Sequence, residues 1–355
     1  MACGLCHPRC PTYDLHRCEA ESPRGRIALV RGLAQGHLAA TPALERHLSH
    51  CLGCRACEAA CPSGVEYGRL LDAARAHLRL RPRTPRARLA VAVLGRYRRR
   101  RPYRSPAGAG RPPPRVQLFT GCATGLLDRE TRRAAVTLLE RLGFAVELPA
   151  GQVCCGALFR HYGAPGRAAE RAARNLAAFG DDPDTPVLSL ASGCGATLSE
   201  YAGLLPGPAA AAFAARHRDL VGFLAALDWP GELRLRPLAG RLWVHEPCTL
   251  RNVLGGAGAT YELLGRLPGA DPRPLPGNDR CCGGAGLYPL LHPRIARSLR
   301  GAKARGLAGK DGDWLVTGNL GCALQLRRAA RDAGVRLQIL HPVALLARQL
   351  APVRQ

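Results

Sequence analysis

The spacing of the cysteines constrains this chain more than any other feature of its sequence. The chain has 16 cysteines among 355 residues, and four of them form the run Cys51-x2-Cys54-x2-Cys57-x3-Cys61-Pro62. Three cysteines spaced in this way wrap a loop around one face of a cubane [4Fe–4S] cluster, and the fourth reaches a second cluster. Structural zinc usually takes two separated Cys-x2-Cys pairs instead. The run therefore predicts iron–sulfur clusters rather than zinc.

A second run at the N-terminus, Cys3-x2-Cys6-x3-Cys10-Pro11, repeats the last three members of the same pattern. The missing cysteine would stand one place before Met1. In one interpretation the true start lies upstream and supplies that cysteine. In the other the chain lacks it, and the first cluster is three-ligated, labile or absent. We favour the upstream start because every position after Cys3 keeps the pattern, and the N-terminal mass of the native protein decides between the two.

Two-cluster modules of this kind share their ligands crosswise. One cluster is then expected to take Cys51, Cys54, Cys57 and Cys10. The other takes Cys3, Cys6, Cys61 and the absent cysteine. Cys18 fits neither run and is interpreted as an ordinary thiol. The segments between the runs, 24–33 and 42–48, look helical, so an α-helical ferredoxin-type domain is predicted for residues 1–82.

Composition changes twice after this region. Residues 83–114 contain Arg98-Arg99-Arg100-Arg101 and Pro112-Pro113-Pro114, which predicts an exposed basic linker with a short helix around 89–97. From Val116 onward short apolar runs alternate with amphipathic helices such as 126–142, a pattern typical of α/β layers with a largely parallel sheet. The predicted strands are 116–120, 145–148, 186–190, 242–245, 314–317 and 337–340.

The second half of the chain is a duplication. Its first copy, predicted at 115–235, and its second, at 240–350, carry the same four cysteines at offsets of 126 to 128 residues. The first set is Cys122, Cys154, Cys155 and Cys194, and the second is Cys248, Cys281, Cys282 and Cys322. Adjacent cysteines have Cα atoms about 3.8 Å apart, whereas a disulfide needs roughly 4.4 to 6.8 Å. Each copy therefore offers four thiolates, enough for one [4Fe–4S] cluster, with a reduced thiol site or another metal as open alternatives.

Each repeat resembles the cysteine-rich CCG domain that heterodisulfide reductase shares with the iron–sulfur subunits of flavin-linked dehydrogenases. In the reductase-type motif a fifth cysteine stands three residues from the last one. Here the corresponding positions are Ala191, Thr197, Asn319 and Gln325. The missing fifth ligand argues against a five-cysteine noncubane cluster and leaves the four-cysteine version open.

The whole chain resembles the iron–sulfur subunit family of glycolate oxidase (glycolate dehydrogenase). The supporting stretches include Cys10-Pro11-Thr12-Tyr13, Glu21-Ser22-Pro23-Arg24-Gly25-Arg26-Ile27, Cys61-Pro62-Ser63-Gly64-Val65 and Cys281-Cys282-Gly283-Gly284-Ala285-Gly286. The resemblance implies an α+β multidomain fold, with an α-helical ferredoxin domain followed by two duplicated α/β CCG domains. It also implies two [4Fe–4S] clusters in the N-terminal module, the first incomplete in this sequence, and leaves open further clusters in the CCG repeats.

The resemblance further implies an electron-transfer subunit without catalytic residues of its own. FAD-containing dehydrogenase subunits would oxidise glycolate, and this chain would pass the electrons toward quinone or another membrane acceptor. No Gly-x-Gly-x-x-Gly fingerprint follows a strand, which agrees with a flavin on partner subunits. Related alternatives are the subunits for lactate utilisation and anaerobic glycerol-3-phosphate oxidation, and a heterodisulfide-reductase-like subunit.

Net charge and hydropathy limit the binding partners and the cellular location that this chain can be expected to have. The net charge of +25 fits either an arginine-rich solvated surface, which we favour, or a basic face for an anionic membrane or nucleic acid. A nucleic-acid-binding protein is the rival of another class, but aromatic residues for base stacking make up only 5% of the chain. No secretory signal and no membrane-spanning stretch is evident, so a cytoplasmic location, with peripheral contact to the inner face of the membrane as a variant, is expected.

Four further side chains lie near the cysteine motifs. His245 and His341 are expected to be satisfied core or loop histidines rather than metal ligands. For Arg24 and Arg26 two roles stay open, contact with a partner or packing against the cluster loop.

Overall fold

The computed structural model describes residues 3–106 and 113–352. A helical N-terminal part precedes two α/β parts, each built on its own sheet, so the predicted fold class is confirmed. Within the described ranges no helix is long and apolar enough to cross a membrane. Met1 and Ala2, and residues 107–112 of the predicted linker, lie outside the described residues, and the division into domains stays a prediction.

Short helices around a small apolar core form the N-terminal part. They are α1 Pro11–His16, α2 Pro23–Ala34, α3 Pro42–Ser49, α4 Ala56–Ala59, α5 Tyr67–His77 and α6 Pro85–Gly95. Ser22, Thr41 and Thr84 cap α2, α3 and α6, and a proline follows each cap, the arrangement that best satisfies the free N–H groups of a helix start. The core lies between α2, α3 and α5 and consists of Leu44, Leu48, Cys57, Tyr67, Leu71 and Ala74.

Helix α6 is the short helix predicted around 89–97. Its Ala87 and Gly95 are buried. A Cβ at Gly95 would come within 2.6 Å of the ring of Phe159, so the helix end packs closely against the first repeat.

The first repeat is a five-stranded sheet in the order β1-β3-β2-β4-β5, in which β1 is antiparallel and the others are parallel. Its strands are β1 Tyr103–Arg104, β2 Arg115–Phe119, β3 Ala145–Leu148, β4 Val187–Ser189 and β5 His217–Asp219. Its helices are α7 Cys122–Leu127, α8 Arg129–Arg141, α9 Ala157–His161, α10 Pro165–Phe179, α11 Ser192–Leu198, α12 Pro208–Arg216 and α13 Leu220–Ala225.

The second repeat is a four-stranded parallel sheet in the order β7-β6-β8-β9. Its strands are β6 Leu242–Val244, β7 Pro272–Pro274, β8 Trp314–Val316 and β9 Gln338–Leu340. Its helices are α14 Cys248–Asn252, α15 Ala259–Leu264, α16 Tyr288–Leu291, α17 Pro293–Leu307, α18 Leu320–Asp332 and α19 Pro342–Gln349. The order matches β3-β2-β4-β5 of the first sheet, so the duplication seen in the cysteines extends to the topology.

The two repeats share one apolar core. Helix α8 of the first packs against α19 of the second, and α13 packs against α15. The largest buried cluster joins residues of both copies, among them Leu138 and Val221 on one side and Leu264 and Leu345 on the other. The two repeats therefore pack against each other around a common core and are not separate domains joined only by a linker.

Local geometry differs from the sequence expectation at four places. The helix predicted over 126–142 is interrupted at Asp128, whose carboxylate accepts a hydrogen bond from Thr131 N at 3.0 Å and starts α8 anew. Strands β1, β5 and β7 are not among the predicted strands, and β1 places Tyr103–Arg104 of the predicted linker in the sheet, antiparallel to β3. Strand β7 contains two prolines and lies at a sheet edge, where a missing N–H donor is tolerated.

Candidate metal centres

In both repeats the cysteines gather at the carboxyl ends of the parallel strands. Cys122 and Cys248 begin the helices α7 and α14 that follow the central strands β2 and β6. The cysteine pairs lie in the loops after β3 and β7, and the last cysteines lie in the first turns of α11 and α18. Loops at this edge of a parallel sheet converge, which is why residues far apart in sequence meet here.

The first repeat brings its four predicted thiols together. Cys122 Sγ lies 3.6 Å from Cys154 Sγ, and the Cys155 thiol lies between those of Cys154 and Cys194. Cys122, Cys154 and Cys155 are buried, whereas Cys194 is partly exposed. The buried Asn175 and Tyr201 hold the backbone of the pair, because Asn175 Nδ2 donates to Cys154 O at 3.2 Å and Tyr201 OH donates to Cys155 O at 3.0 Å.

The second repeat shows the same order of neighbours. The Cys248 thiol adjoins that of Cys281, and the Cys282 thiol adjoins those of Cys281 and Cys322. Cys281, Cys282 and Cys322 are buried, and Cys248 is partly exposed. The two predicted four-thiol sets are therefore each assembled by the fold.

The glycine after each cysteine pair has a backbone conformation that other residues rarely adopt. Gly156 has φ +95° and Gly283 has φ +77°, and a Cβ at either would press on the backbone of α10 or α17, 3.1 Å from Ala168 O and 3.3 Å from Ala296 O. Glycine allows the loop to turn sharply while the following helix approaches closely. This explains the Cys-Cys-Gly sequence in both copies.

In the N-terminal part, Cys57 is the centre of a further thiol group. Burial raises the pKa of the Cys57 thiol, and the neighbouring thiols of Cys51, Cys10 and Cys6 raise it further. Tyr67 OH donates a hydrogen bond to Cys51 Sγ at 3.5 Å. The fold thus brings Cys10 from the first run to the loop of the second, as the crosswise pattern predicts.

The other N-terminal set is less closely gathered. Cys3 is exposed, and Cys6 and Cys61 are half-buried. Burial raises the pKa of the Cys6 thiol, and the neighbouring Cys10 and Cys3 thiols raise it further. The turn His7–Arg9 contacts α4. Cys18 is exposed, in keeping with its interpretation as an ordinary thiol.

A buried ion pair supports the loop that carries Cys10. Arg26 is 1% exposed and donates to Glu21 Oε2 at 2.5 Å, to Thr12 Oγ1 at 2.9 Å and to His47 O at 2.8 Å. Thr12 lies 3.3 Å from Cys10 Sγ. Burial alone would raise the pKa of Glu21, but hydrogen bonds from His50 and His47 and the charge of Arg26 lower it to about 2.

The two arginines that sequence could not separate are therefore distinguished. Arg26 packs behind the cluster loop, whereas Arg24 is 39% exposed and pairs with Glu19 at 2.8 Å. Gly25 lies between them because a Cβ there would fall 1.9 Å from Glu19 O. The Ser-Pro-Arg-Gly-Arg stretch is thus a supporting element for the first cysteine run.

Cys54 lies against the second repeat, a contact that no sequence pattern indicated. Burial raises the pKa of the Cys54 thiol, with the Cys248 thiol as the next largest cause. Cys54 and Cys248 pack on the same apolar cluster as Cys281. Asn252 Nδ2 donates to Cys54 O at 2.8 Å, and Tyr288 OH donates to His50 O at 2.7 Å. The N-terminal thiol group and that of the second repeat are therefore immediate neighbours.

The donor sets fit iron–sulfur clusters. Several thiolates cannot coexist in buried, mutually repelling positions without a compensating positive charge, and a metal centre supplies one. Burial raises the pKa of the Cys54 and Cys57 thiols, and contact with the Cys154 and Cys194 thiols raises that of Cys155, so these are thiols that such a centre would deprotonate. Cysteine thiolates in groups of four are the usual ligands of [4Fe–4S] clusters.

The two histidines near the cysteine loops differ. His341 caps α19, since its Nδ1 accepts a hydrogen bond from Val343 N at 3.2 Å, and so behaves as the satisfied loop histidine expected. His245 satisfies only one ring nitrogen. Its Nδ1 lies 3.0 Å from Thr317 Oγ1, and its Nε2 is buried without a hydrogen-bond partner.

Comparison with known proteins agrees with this arrangement. Residues 1–65 match the family model of a 4Fe-4S dicluster domain, and residues 116–199 and 242–327 each match that of a cysteine-rich domain named CCG. These matches confirm the prediction of [4Fe–4S] cofactors and of two CCG repeats.

Relatives of known name match most of the chain. A probable glycolate oxidase iron-sulfur subunit of Bacillus subtilis (strain 168) is 32% identical, covering 98% of this chain and 92% of that protein. The glycolate oxidase iron-sulfur subunit of Escherichia coli (strain K12) is 34% identical, covering 93% and 90%. Lactate utilization protein A of Geobacillus kaustophilus (strain HTA426) is 28% identical, covering 65% of this chain and 98% of that protein.

Proposed function

This chain belongs to the family of glycolate oxidase iron–sulfur subunits, and we propose that it carries electrons from a flavin-bearing partner subunit that oxidises glycolate to glyoxylate. Oxidation of a 2-hydroxy acid to a 2-oxo acid releases two electrons and two protons, which FAD on the partner accepts. This chain would accept the electrons one at a time and deliver them toward quinone at the inner face of the membrane. Clusters of this type supply one-electron transfer when bound.

The ligand assignment is part of the proposal. One N-terminal centre would be held by Cys51, Cys54, Cys57 and Cys10, and the other would take Cys3, Cys6 and Cys61 among its ligands. The repeats would use Cys122, Cys154, Cys155 and Cys194, and Cys248, Cys281, Cys282 and Cys322. The gathering of thiols at each place supports these sets.

The observation that carries the electron-transfer role is the contact of Cys54 with the second repeat. Its thiol, together with that of Cys248, packs on one apolar cluster with Cys281, and Asn252 holds its carbonyl. Two candidate centres in van der Waals neighbourhood form a route on which an electron stays inside the protein.

The share of this chain that each relative matches favours glycolate over lactate as the substrate of the complex. The glycolate oxidase relatives match 93% to 98% of this chain, whereas the lactate utilization protein matches 65% of it. The test is to purify this chain anaerobically with its co-expressed flavoprotein partners. Glycolate should bleach the visible cluster absorbance at a higher rate than L-lactate, and only when the flavoprotein is present.

The same preparation tests the cofactor assignment. Iron and acid-labile sulfide should be found in equal amounts, at about eight or more irons per chain if at least two sites are filled. Zinc without sulfide would overturn the cofactor assignment. If L-lactate but not glycolate bleaches the clusters, the electron-transfer role stands and the proposed substrate changes from glycolate to lactate.

A further inference from the structure

The second repeat carries a histidine at a position where the first carries an apolar ring. His245 stands three residues before Cys248, and Phe119 stands three residues before Cys122. Phe119 packs on Phe179, with ring centroids 5.9 Å apart, and joins the apolar cluster around the first thiol set. The two candidate centres are therefore unequal in the groups that surround them, although their cysteines match.

The imidazole of His245 points into the second thiol set. One ring nitrogen of His245 and the Sγ atoms of Cys282 and Cys322 all lie within 4.8 Å of one another. His245 is 2% exposed, and Nε2 has no hydrogen-bond partner. A buried polar atom without a partner is costly, so native proteins keep few of them and each calls for an explanation.

The second ring nitrogen of His245, Nδ1, is hydrogen-bonded, as the non-ligating nitrogen is in metal-binding histidines. His245 Nδ1 lies 3.0 Å from Thr317 Oγ1 at the end of β8, and the His245 backbone N–H donates to Val316 O at 2.9 Å. A ligating histidine usually has its second ring nitrogen hydrogen-bonded in this way, which fixes both the ring orientation and the tautomer. The remaining nitrogen is then presented to the metal.

We propose that His245 Nε2 is a fifth protein ligand to the iron–sulfur centre of the second repeat, beside Cys248, Cys281, Cys282 and Cys322. This inference rests on the proposed function, which gives the second repeat a centre. The histidine would occupy the role left vacant by the missing fifth cysteine at Asn319 or Gln325. Because imidazole is neutral and thiolate is anionic, the second centre would have a higher reduction potential than the same centre with a thiolate as its fifth ligand.

The test is pulsed EPR on reduced protein, with histidine at natural abundance and labelled with 15N. Cys322→Ser first identifies the signal of the second repeat as the one that this substitution removes. In otherwise unchanged protein that signal should show the strong nitrogen hyperfine coupling of a directly bound ligand, and the coupling should change with the 15N label. His245→Phe, which copies the first repeat, should abolish it, and His217→Asn should not, because His217 Nε2 is already paired with Ser189 Oγ at 3.0 Å.

The outcomes separate a missing centre from a missing histidine ligand. If Cys322→Ser changes neither the iron content nor any EPR signal, the second repeat has no iron–sulfur centre. The proposed function is then wrong for this repeat, and the proposed histidine ligand is refuted as well. If the signal exists but shows no histidine coupling in the labelled protein with His245 intact, the centre stands and the histidine ligand is refuted. This conclusion does not depend on any variant at position 245 folding. His245→Cys should keep the centre and lower its reduction potential, and an unchanged potential would also refute nitrogen ligation.

Discussion

Replacing Arg26 by methionine tests whether the arginine stretch of α2 supports the first cysteine run or serves a partner. Arg26 is 1% exposed and makes hydrogen bonds to Glu21, Thr12 and the His47 carbonyl. Methionine fills similar space but leaves the Glu21 carboxylate buried with only its two histidine contacts. Removing one partner of a buried ion pair costs about 3–5 kcal/mol.

The matched control is Arg24→Met, two residues earlier on the same helix. Arg24 is 39% exposed and pairs with Glu19, which is also exposed, and exposed ion pairs contribute little to stability because water screens them. For a domain of 60–100 residues 1 kcal/mol shifts Tm by about 4–8 °C. Arg26→Met should therefore lower the melting temperature of the N-terminal part by about 10 °C or more, and Arg24→Met by a few degrees at most.

The assay follows visible cluster absorbance during anaerobic heating, together with the iron retained after gel filtration. Arg26→Met should lose iron at lower temperature, because Thr12 contacts Cys10 Sγ and both depend on Arg26. Arg26→Lys should fall between, since lysine keeps the charge but not the planar fork that reaches three acceptors. Equal melting of the two methionine variants would refute the supporting role, and weaker flavoprotein binding by Arg26→Met with unchanged melting would assign Arg26 to a partner.

Three further predictions concern the cysteines and the contacts between the N-terminal part and the repeats. Cys51→Ser should remove about four irons per chain, whereas Cys18→Ser should remove none, and equal losses by iron assay would contradict the ligand assignment. Burial acts to raise the pKa of Asp72, but His161 and Arg160 outweigh it and bring the pKa to about 2, below the ordinary 3.8. This carboxylate should therefore contribute about 2 kcal/mol of stability above pH 5, which is lost as the pH falls toward 2. Asp72→Asn should flatten that acid dependence in melting curves, and an unaltered pH profile would exclude the ion pair as its cause. Asn252→Ala removes the hydrogen bond to Cys54 O at 2.8 Å, so it should destabilise by about 1 kcal/mol and slow electron transfer into the second repeat in stopped-flow reduction, without changing the iron content.

Much of the architecture could be predicted from the sequence because it rests on local patterns. The cysteine spacings, the apolar runs of six strands and the offset between copies are all visible along the chain. Strand β5 was missed because His217-Arg218-Asp219 carries no apolar run, and its strand character comes from pairing with β4. The break at Asp128 was missed because the apolar periodicity of α8 continues across it.

The sequence predicted which cysteines the fold brings together, but not which side chains surround them. Arg24 and Arg26 stand on opposite sides of a helix, and periodicity alone does not say which side meets the core. The same holds for His245, because only the fold reveals that Thr317 holds one nitrogen while the other is left without a partner. The approach of Cys54 to Cys248 depends on how domains dock, which no local pattern encodes.

The crossed pairing of α8 with α19 and of α13 with α15 has a consequence for how such a chain can be divided. By position after their strands, α8 corresponds to α15 and α13 to α19. The surface of α8 or its counterpart α15 in one repeat therefore meets the surface of α19 or its counterpart α13 in the other repeat, and this contact occurs twice. A symmetric dimer repeats its contact in the same way across its twofold axis. A protein carrying a single copy would expose both surfaces to water, so it would have to find a second molecule of itself before its fold was complete.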